Sequence, residues 1–286
     1  MMNEKQATTI LVSDPEDPRL DDFRDLNHSD SRPDLPGGKG LVVAEGPLVV
    51  GRLLESRFPV RAIVGFGNRL ESFLAETPVP EDVPVYEVTR ETLRQVAGFD
   101  MHRGLLAAAD RAGELSVEEV TEGARTLVVL EGVGDHENIG ALFRSAAGLG
   151  VDGVLFGSGC ADPLYRRSVR VSMGHVLRVP FARLEGGYTT WQRGLEALHD
   201  EGFRTVSLTP DENAAHVADA VLGPDGKPVE RLALLVGAEG PGLTEHAMRA
   251  THVRARIPMA PGTDSLNVAT SAAVALYERQ RSLRAE

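Results

Sequence analysis

The sequence predicts an α/β protein: a parallel sheet with helices on both faces, preceded by a smaller α/β unit. Three observations predict it. Short apolar runs, of which Thr126-Leu127-Val128-Val129-Leu130 is the plainest, have the unbroken hydrophobicity of strands buried on both sides. These runs alternate with helical stretches in the βαβ rhythm. Glycine- and amide-rich segments then follow the strands, which is where open α/β sheets build their ligand sites.

Taken in order, residues 1–40 read as an acidic N-terminal arm, partly helical around Leu20 to Leu26. It ends in the turn-rich Pro36-Gly37-Gly38-Lys39-Gly40. Residues 41–112 begin as β-α-β, with a strand Leu41-Val42-Val43-Ala44, a helix over 47–57 and a strand over 60–64. A strand over 83–88, a helix over 89–97 and a last strand Gly104 to Ala109 complete a compact unit. Residues 113–125 form a linker with a short helix near Val117 to Glu122. Residues 126–286 form the larger domain. Its strands are expected near 153–157, 176–180, 204–208, 232–236 and 253–257, and its helices near 139–149, 163–172, 188–201, 243–250 and 266–283.

The 286 residues suffice for one large or two modest domains, and 42% hydrophobic with 25% charged residues is ordinary for a globular chain. Cys160 is the only cysteine, which excludes an internal disulfide and a zinc site built on a cysteine pair. No two histidines share helix or hairpin spacing with a carboxylate, so no metal is expected. No run approaches the roughly 18 apolar residues of a membrane helix and the first residues lack a secretory apolar core, so a cytoplasmic location is expected.

The 30 Lys and Arg against 42 Asp and Glu give a net charge of −12, which argues against a nucleic-acid partner taken as a whole. The distribution is uneven. Residues 14–36 carry eight acids against three arginines, a net of −5, whereas 161–183 carry Arg166, Arg167, Arg170, Arg178 and Arg183 against Asp162, a net of +4. Because salt screens charges beyond about 8 Å, the local patch decides what is attracted.

Three segments carry the chemistry. The first is Asn138-Ile139-Gly140-Ala141-Leu142-Phe143-Arg144. Asn138 can cap a helix starting at Ile139, and Arg144 lies in a mostly apolar helix where it needs a partner or water. The second, Gly237-Ala238-Glu239-Gly240-Pro241-Gly242-Leu243, directly follows an apolar strand. Its glycines permit close approach of a ligand. It is neither the dinucleotide fingerprint nor a phosphate loop, which counts against an α/β dehydrogenase or nucleotide hydrolase. The third runs from Ile257-Pro258-Met259 to Ser265-Leu266-Asn267, with Asp264 or Ser265 as candidate caps of the last helix.

Order, residue types and spacing of these segments together resemble the SpoU/TrmH family of RNA ribose 2′-O-methyltransferases, from about Leu127 to the C-terminus. A looser similarity to the family's small N-terminal RNA-binding domain, of the ribosomal-protein L30e-like kind, covers roughly 41–110. The resemblance implies a SPOUT methyltransferase fold with a C-terminal trefoil knot and a homodimer, neither of which follows from spacing. It makes 41–112 the RNA substrate-binding domain and 126–286 the catalytic domain, with S-adenosylmethionine as cofactor and RNA as substrate, ribosomal RNA first and transfer RNA second.

The resemblance assigns catalytic roles to Arg144, Asn138, Glu239, Ser265 and Asn267. It places the cofactor against Gly237, Ala238, Glu239, Gly240, Gly242, Ile257, Met259 and Leu266. Arg166, Arg167 and Arg170, with His102 and Arg103 in the smaller domain, are candidate RNA contacts. The chain departs from many members at Gly134-Asp135-His136-Glu137, where they carry an Asp-Pro pair. Family proposals give the arginine the role of base; a guanidinium suits better the positioning of ribose and phosphate and the stabilising of oxyanion charge. A non-catalytic RNA-binding protein on the same fold, and a base methyltransferase, are the competing readings.

Overall fold

The computed structural model describes residues 8–26, 39–101, 103–263 and 265–284. The chain divides into two compact units: residues 1–113 with 164–178, and residues 114–163 with 179–286. His102 and Asp264 lie outside the described residues, as do residues 27–38 of the expected arm.

The first unit holds a five-stranded sheet of β1 (Thr9–Leu11), β2 (Leu41–Glu45), β3 (Val60–Gly65), β4 (Val85–Glu87) and β5 (Leu105–Asp110) in the order β1-β4-β3-β5-β2. β1, β4 and β3 run parallel; β5 is antiparallel to both neighbours. Its helices are α1 (Pro47–Leu54), α2 (Gly67–Glu76) and α3 (Arg90–Ala97), of which α2 was not anticipated from the sequence. The expected arm is, over residues 9–26, part of this unit. β1 adds an edge strand, and Val12, Leu20, Phe23 and Leu26 are buried in one cluster with Leu41, Val64, Leu93 and Val96. The reason is compositional: these apolar side chains are spaced among the acids, and the acids find arginines. Asp22 pairs with Arg61 at 2.7 Å, and Asp17 pairs with Arg19 at 2.6 Å while capping the 3₁₀ turn Pro18–Phe23.

The second unit opens with α4 (Val117–Thr121), closed by a capping box between Ser116 and Glu119. β6 (Thr126–Leu130), α5 (His136–Gly148) and β7 (Gly153–Phe156) follow. After Pro163 the chain contributes α6 (Arg166–Val171) and a 3₁₀ turn (His175–Leu177) to the first unit, then resumes with β8 (Phe181–Arg183) and α7 (Gly194–Asp200). The remaining elements are β9 (Phe203–Leu208), β10 (Ala215–His216), α8 (Val217–Ala220), β11 (Arg231–Val236), α9 (Glu245–Arg249), β12 (Val253–Arg256) and α10 (Val268–Arg284). The strands form one sheet, all pairings parallel, in the order β10-β12-β9-β11-β6-β7-β8.

β6 lies at the sheet's interior, which explains its unbroken apolar run. Leu127 and Val129 share a cluster with Leu195 and Leu198 of α7 and Ala247 of α9. On the other face Phe143 of α5 meets Phe156 and Phe181 at ring separations of 6.1 and 5.8 Å. Helices therefore cover both faces. α5 buries Ile139, Leu142, Phe143 and Ala146, one stripe at helical spacing, and packs against α10.

Two expected elements differ. The strand expected at 176–180 is a 3₁₀ turn introduced by Gly174 at φ 82°, where a Cβ would press on Val49 and Arg52; the strand starts at Phe181. The helix expected at 188–201 is instead the 3₁₀ turn Trp191–Arg193 leading into α7.

Candidate functional site

The site is built where β9, β11 and β12 end. β11 delivers the chain into the Gly237–Leu243 loop, which folds tightly back on itself. Ala238 bridges Gly242, and the Gly242 N–H donates to the Ala238 carbonyl at 2.9 Å. Gly240 and Gly242 take φ of 89° and 71°, the left-handed region glycine permits. At Gly237 the constraint is space: a Cβ would fall 2.2 Å from Gly242 C and Leu243 N.

This loop holds Glu239 against two amides. Asn138 Nδ2 donates to Glu239 Oε2 at 3.2 Å, Asn267 Nδ2 donates to Asn138 Oδ1 at 2.9 Å, and a longer contact joins Asn267 Nδ2 to Glu239 Oε1 at 3.4 Å. Each amide sits at a helix start, though not as the sequence suggested. Asp135, not Asn138, caps α5 by accepting from the Glu137 N–H at 2.7 Å, which leaves the Asn138 side chain free for Glu239. At α10 the cap is Asn267, whose Oδ1 accepts from the N–H groups of Ala269 and Thr270. Asp135 and Asn267 each precede the first helical residue, so the helices begin three residues earlier and two later than the expected bounds.

Gly237, Ala238, Glu239, Gly240, Gly242, Ile257, Met259, Ser265, Leu266 and Asn267 all border a single cleft of about 320 Å³. That volume falls in the range of small-molecule sites. Leu208, Thr209 and Pro210, at the end of β9, complete one wall, and Val268 and Ser271 of α10 border it too. These five were missed in the sequence. The signal available was that 204–208 reads as a parallel strand, whose C-terminal end should face a ligand.

Arg144 does not border this cleft. It lies on α5 six residues after Asn138, which turns it about 120° round the helix. It is exposed and makes no ion pair among the described residues, so the pairing with Glu239 that its charge allows is not formed.

The remaining basic candidates belong to the first unit. Arg166 lies 3.4 Å from the buried Glu45 and over the Phe99 ring at 4.8 Å, and burial lowers the pKa of its guanidinium. Arg170 reaches Glu45 only at 4.0 Å, and Arg167 is exposed. Arg103 borders a hollow with Arg69, Glu45 and Met173. Among the described residues no group of three or more His, Cys, Asp or Glu could hold a metal, and no helix is long and apolar enough to cross a membrane.

Fold and cleft define an α/β protein with a cleft of small-molecule size at the C-terminal ends of parallel strands of its second unit, bordered by Glu239 and Asn267, both hydrogen-bonded to Asn138. Residues 125–277 match the SpoU rRNA Methylase family, and the chain belongs to that family of RNA methyltransferases. It is 56% identical over 95% of its length, and 91% of the relative's, to an uncharacterized tRNA/rRNA methyltransferase of Mycobacterium tuberculosis. It is 31% identical, over 76% of its length and 84% of the relative's, to the 23S rRNA (guanosine-2′-O-)-methyltransferase RlmB of Ralstonia nicotianae. Among solved structures it is similar to an rRNA methyltransferase from Sinorhizobium meliloti at 25% identity and TM-score 0.76, covering 96% of this chain and 98% of that one. The AdoMet-bound form of that enzyme shares the fold at TM-score 0.77, 24% identity and the same coverage of both chains.

Proposed function

We propose that this chain transfers a methyl group from S-adenosylmethionine to a ribose 2′-hydroxyl of structured RNA, ribosomal RNA before transfer RNA. The observation that carries the reading is that Glu239 and Asn267 border one cleft and are both hydrogen-bonded to the buried Asn138. Family membership and the RlmB relative support it.

The residues fit the cofactor. Leu208, Val236, Ile257, Met259 and Leu266 offer apolar walls, Gly237 leaves a place no Cβ could occupy, and Glu239 presents a carboxylate suited to a sulfonium. Bound there, S-adenosylmethionine supplies an electrophilic methyl group. The hydroxyl oxygen gains the methyl carbon, the sulfur–carbon bond breaks, and the products are the methylated ribose, S-adenosylhomocysteine and a proton.

Ser265 and Asn267 hold the ribose, and Asn138 fixes the Glu239 carboxylate. Arg144, which forms no ion pair among the described residues and stands outside the lining of the cleft, is given by the family reading the part of gripping the adjoining phosphate and stabilising negative charge developing on the attacking oxygen. Alignment of nucleophile and methyl supplies much of the rate. Arg103, Arg167 and Arg170 of the first unit, with His102, contribute RNA contacts; Arg166 serves the unit's own ion pair first. The same family reading proposes a trefoil knot in the second unit and a homodimer in solution, the latter measurable by light scattering.

The test is methyl transfer from labelled S-adenosylmethionine to total bacterial RNA, wild type beside Arg144→Ala, with the product digested to nucleosides. Label in a 2′-O-methylnucleoside that disappears in the variant is the expected result. Label on a base overturns the ribose reading, and cofactor binding without label on any RNA fraction favours the non-catalytic alternative.

A further inference from the structure

Glu131 is the first residue beyond β6, 2% exposed, and no arginine or lysine pairs with it among the described residues. Leaving a carboxylate in such a place is costly unless donors surround it. Four do. Trp191 Nε1–H donates to Oε1 at 2.8 Å, Gln192 Nε2 at 3.4 Å and the Thr244 hydroxyl at 2.9 Å, while the Thr244 backbone N–H donates to Oε2 at 2.7 Å.

Two of these donors belong to Thr244, the residue that ends the Gly237–Leu243 loop and caps α9 by accepting from the Ala247 N–H at 3.1 Å. The other end of the loop is held by the same residue, because the Glu131 backbone N–H donates to the Val236 carbonyl at 3.0 Å. One residue thus grips both ends of the loop that borders the cleft. Its neighbour Gly132 lies so close that a Cβ there would stand 3.1 Å from the Ala238 Cβ.

We propose that Glu131 is a positioning residue, whose carboxylate sets the shape in which the Gly237–Leu243 loop receives S-adenosylmethionine. The proposal rests on the cofactor reading above. Only an acceptor-only group fits, since all four groups from the three neighbouring residues donate. Glutamine has the same shape but places an N–H₂ where one oxygen stands, opposing either Thr244 N–H or the three donors on Oε1. Trp191 supplies a contrast: it is as deeply buried and binds the same carboxylate, but from the side remote in sequence from the loop.

The test is calorimetric binding of S-adenosylmethionine to wild type, Glu131→Gln, Thr244→Val and Trp191→Phe, at a temperature where circular dichroism shows each folded. Wild-type binding is measured first; its absence would remove the cofactor reading itself. Glu131→Gln is expected to weaken binding about tenfold, equivalent to about 1.4 kcal/mol. Thr244→Val, which keeps the backbone N–H, should weaken it severalfold, and Trp191→Phe should lower the melting temperature while leaving affinity within about twofold. Should Glu131→Gln not fold, Thr244→Val decides. Wild-type affinity in the folded Thr244 and Glu131 variants, or an equal loss in Trp191→Phe, overturns the proposal.

Discussion

Asn267 Nδ2 donates to Asn138 Oδ1 at 2.9 Å, across 129 positions of sequence, and the two amides share Glu239. Each is fixed at a helix start, so the carboxylate is held by groups that cannot drift independently. Asn138→Asp would replace a donor by a second carboxylate facing Glu239. Methyl transfer is expected to fall by about two orders of magnitude, comparable to loss of one fixed polar group in other sites. Single-turnover assays at saturating cofactor measure it, and a rate within threefold of wild type would refute the arrangement.

Gly237→Ala introduces a Cβ into backbone atoms 2.2 Å away, and backbone cannot rotate aside as a side chain can. The loop must open. S-adenosylmethionine affinity is expected to drop at least about tenfold, or about 1.4 kcal/mol, with circular dichroism unchanged. Gly240→Ala meets no atom of the described residues within 4 Å and is strained only by its positive φ, so its effect should be smaller.

Arg279 of α10 is 1% exposed and forms no ion pair among the described residues. Its guanidinium donates to the Val229 and Glu230 carbonyls, with longer contacts to Thr126 Oγ1 and the Arg125 carbonyl, and burial lowers its pKa to about 10. Arg279→Met fills similar space but orphans those carbonyls. A loss of roughly 3 kcal/mol is expected, at about 1–3 kcal/mol per buried group left unpaired. Urea unfolding followed at the second unit checks it.

The His199 and His252 rings lie with centroids 4.2 Å apart and planes inclined by 60° beside Thr205, whose hydroxyl lies 3.0 Å from His199 Nε2 and 2.9 Å from His252 Nδ1. Burial, and secondly the neighbouring ring, hold the His199 pKa below its ordinary 6.5, with Asp200 and Glu196 acting the other way. The unfolded chain therefore takes up the proton more readily than the folded one. His199 contributes its stability fully above about pH 6.5, and that contribution is lost as the pH falls below this through the folded value. Thermal melts between pH 7.5 and 5.5 should decline less steeply in His199→Gln than in wild type.

Much of this was legible in the sequence for a definite reason. A strand buried on both faces, such as β6 or β11, cannot hide its composition, and the second and third segments, which follow strands, border the cleft, whereas Asn138 of the first reaches it only through hydrogen bonds to Glu239 and Asn267. What escaped depended on partners distant in sequence. Val176 and Leu177 look like strand residues, but Gly174 turns the chain and both are buried in a 3₁₀ turn. Asp135 took the cap that Asn138 was expected to provide, because the helix starts earlier. Glu131 is not legible, because a single glutamate after a strand ordinarily faces water; what buries it here are Trp191 and Thr244, 60 and 113 positions away. Leu20 and Phe23 were obscured by the acids around them.

The passage of residues 164–178 into the first unit bears on how the chain is made. Ser168, Val169 and Val176 in that passage are fully buried, and Gly174 lies against Val49 and Arg52. During synthesis the first 113 residues emerge without this piece, and it arrives only after β6, α5 and β7 have left the ribosome. Folding from the N-terminus, the usual order for successive domains, is thus interrupted: the first unit waits half-finished on sequence that belongs on either side to the second. Cutting the gene at the linker would yield two fragments, one lacking a buried segment and the other burdened with it.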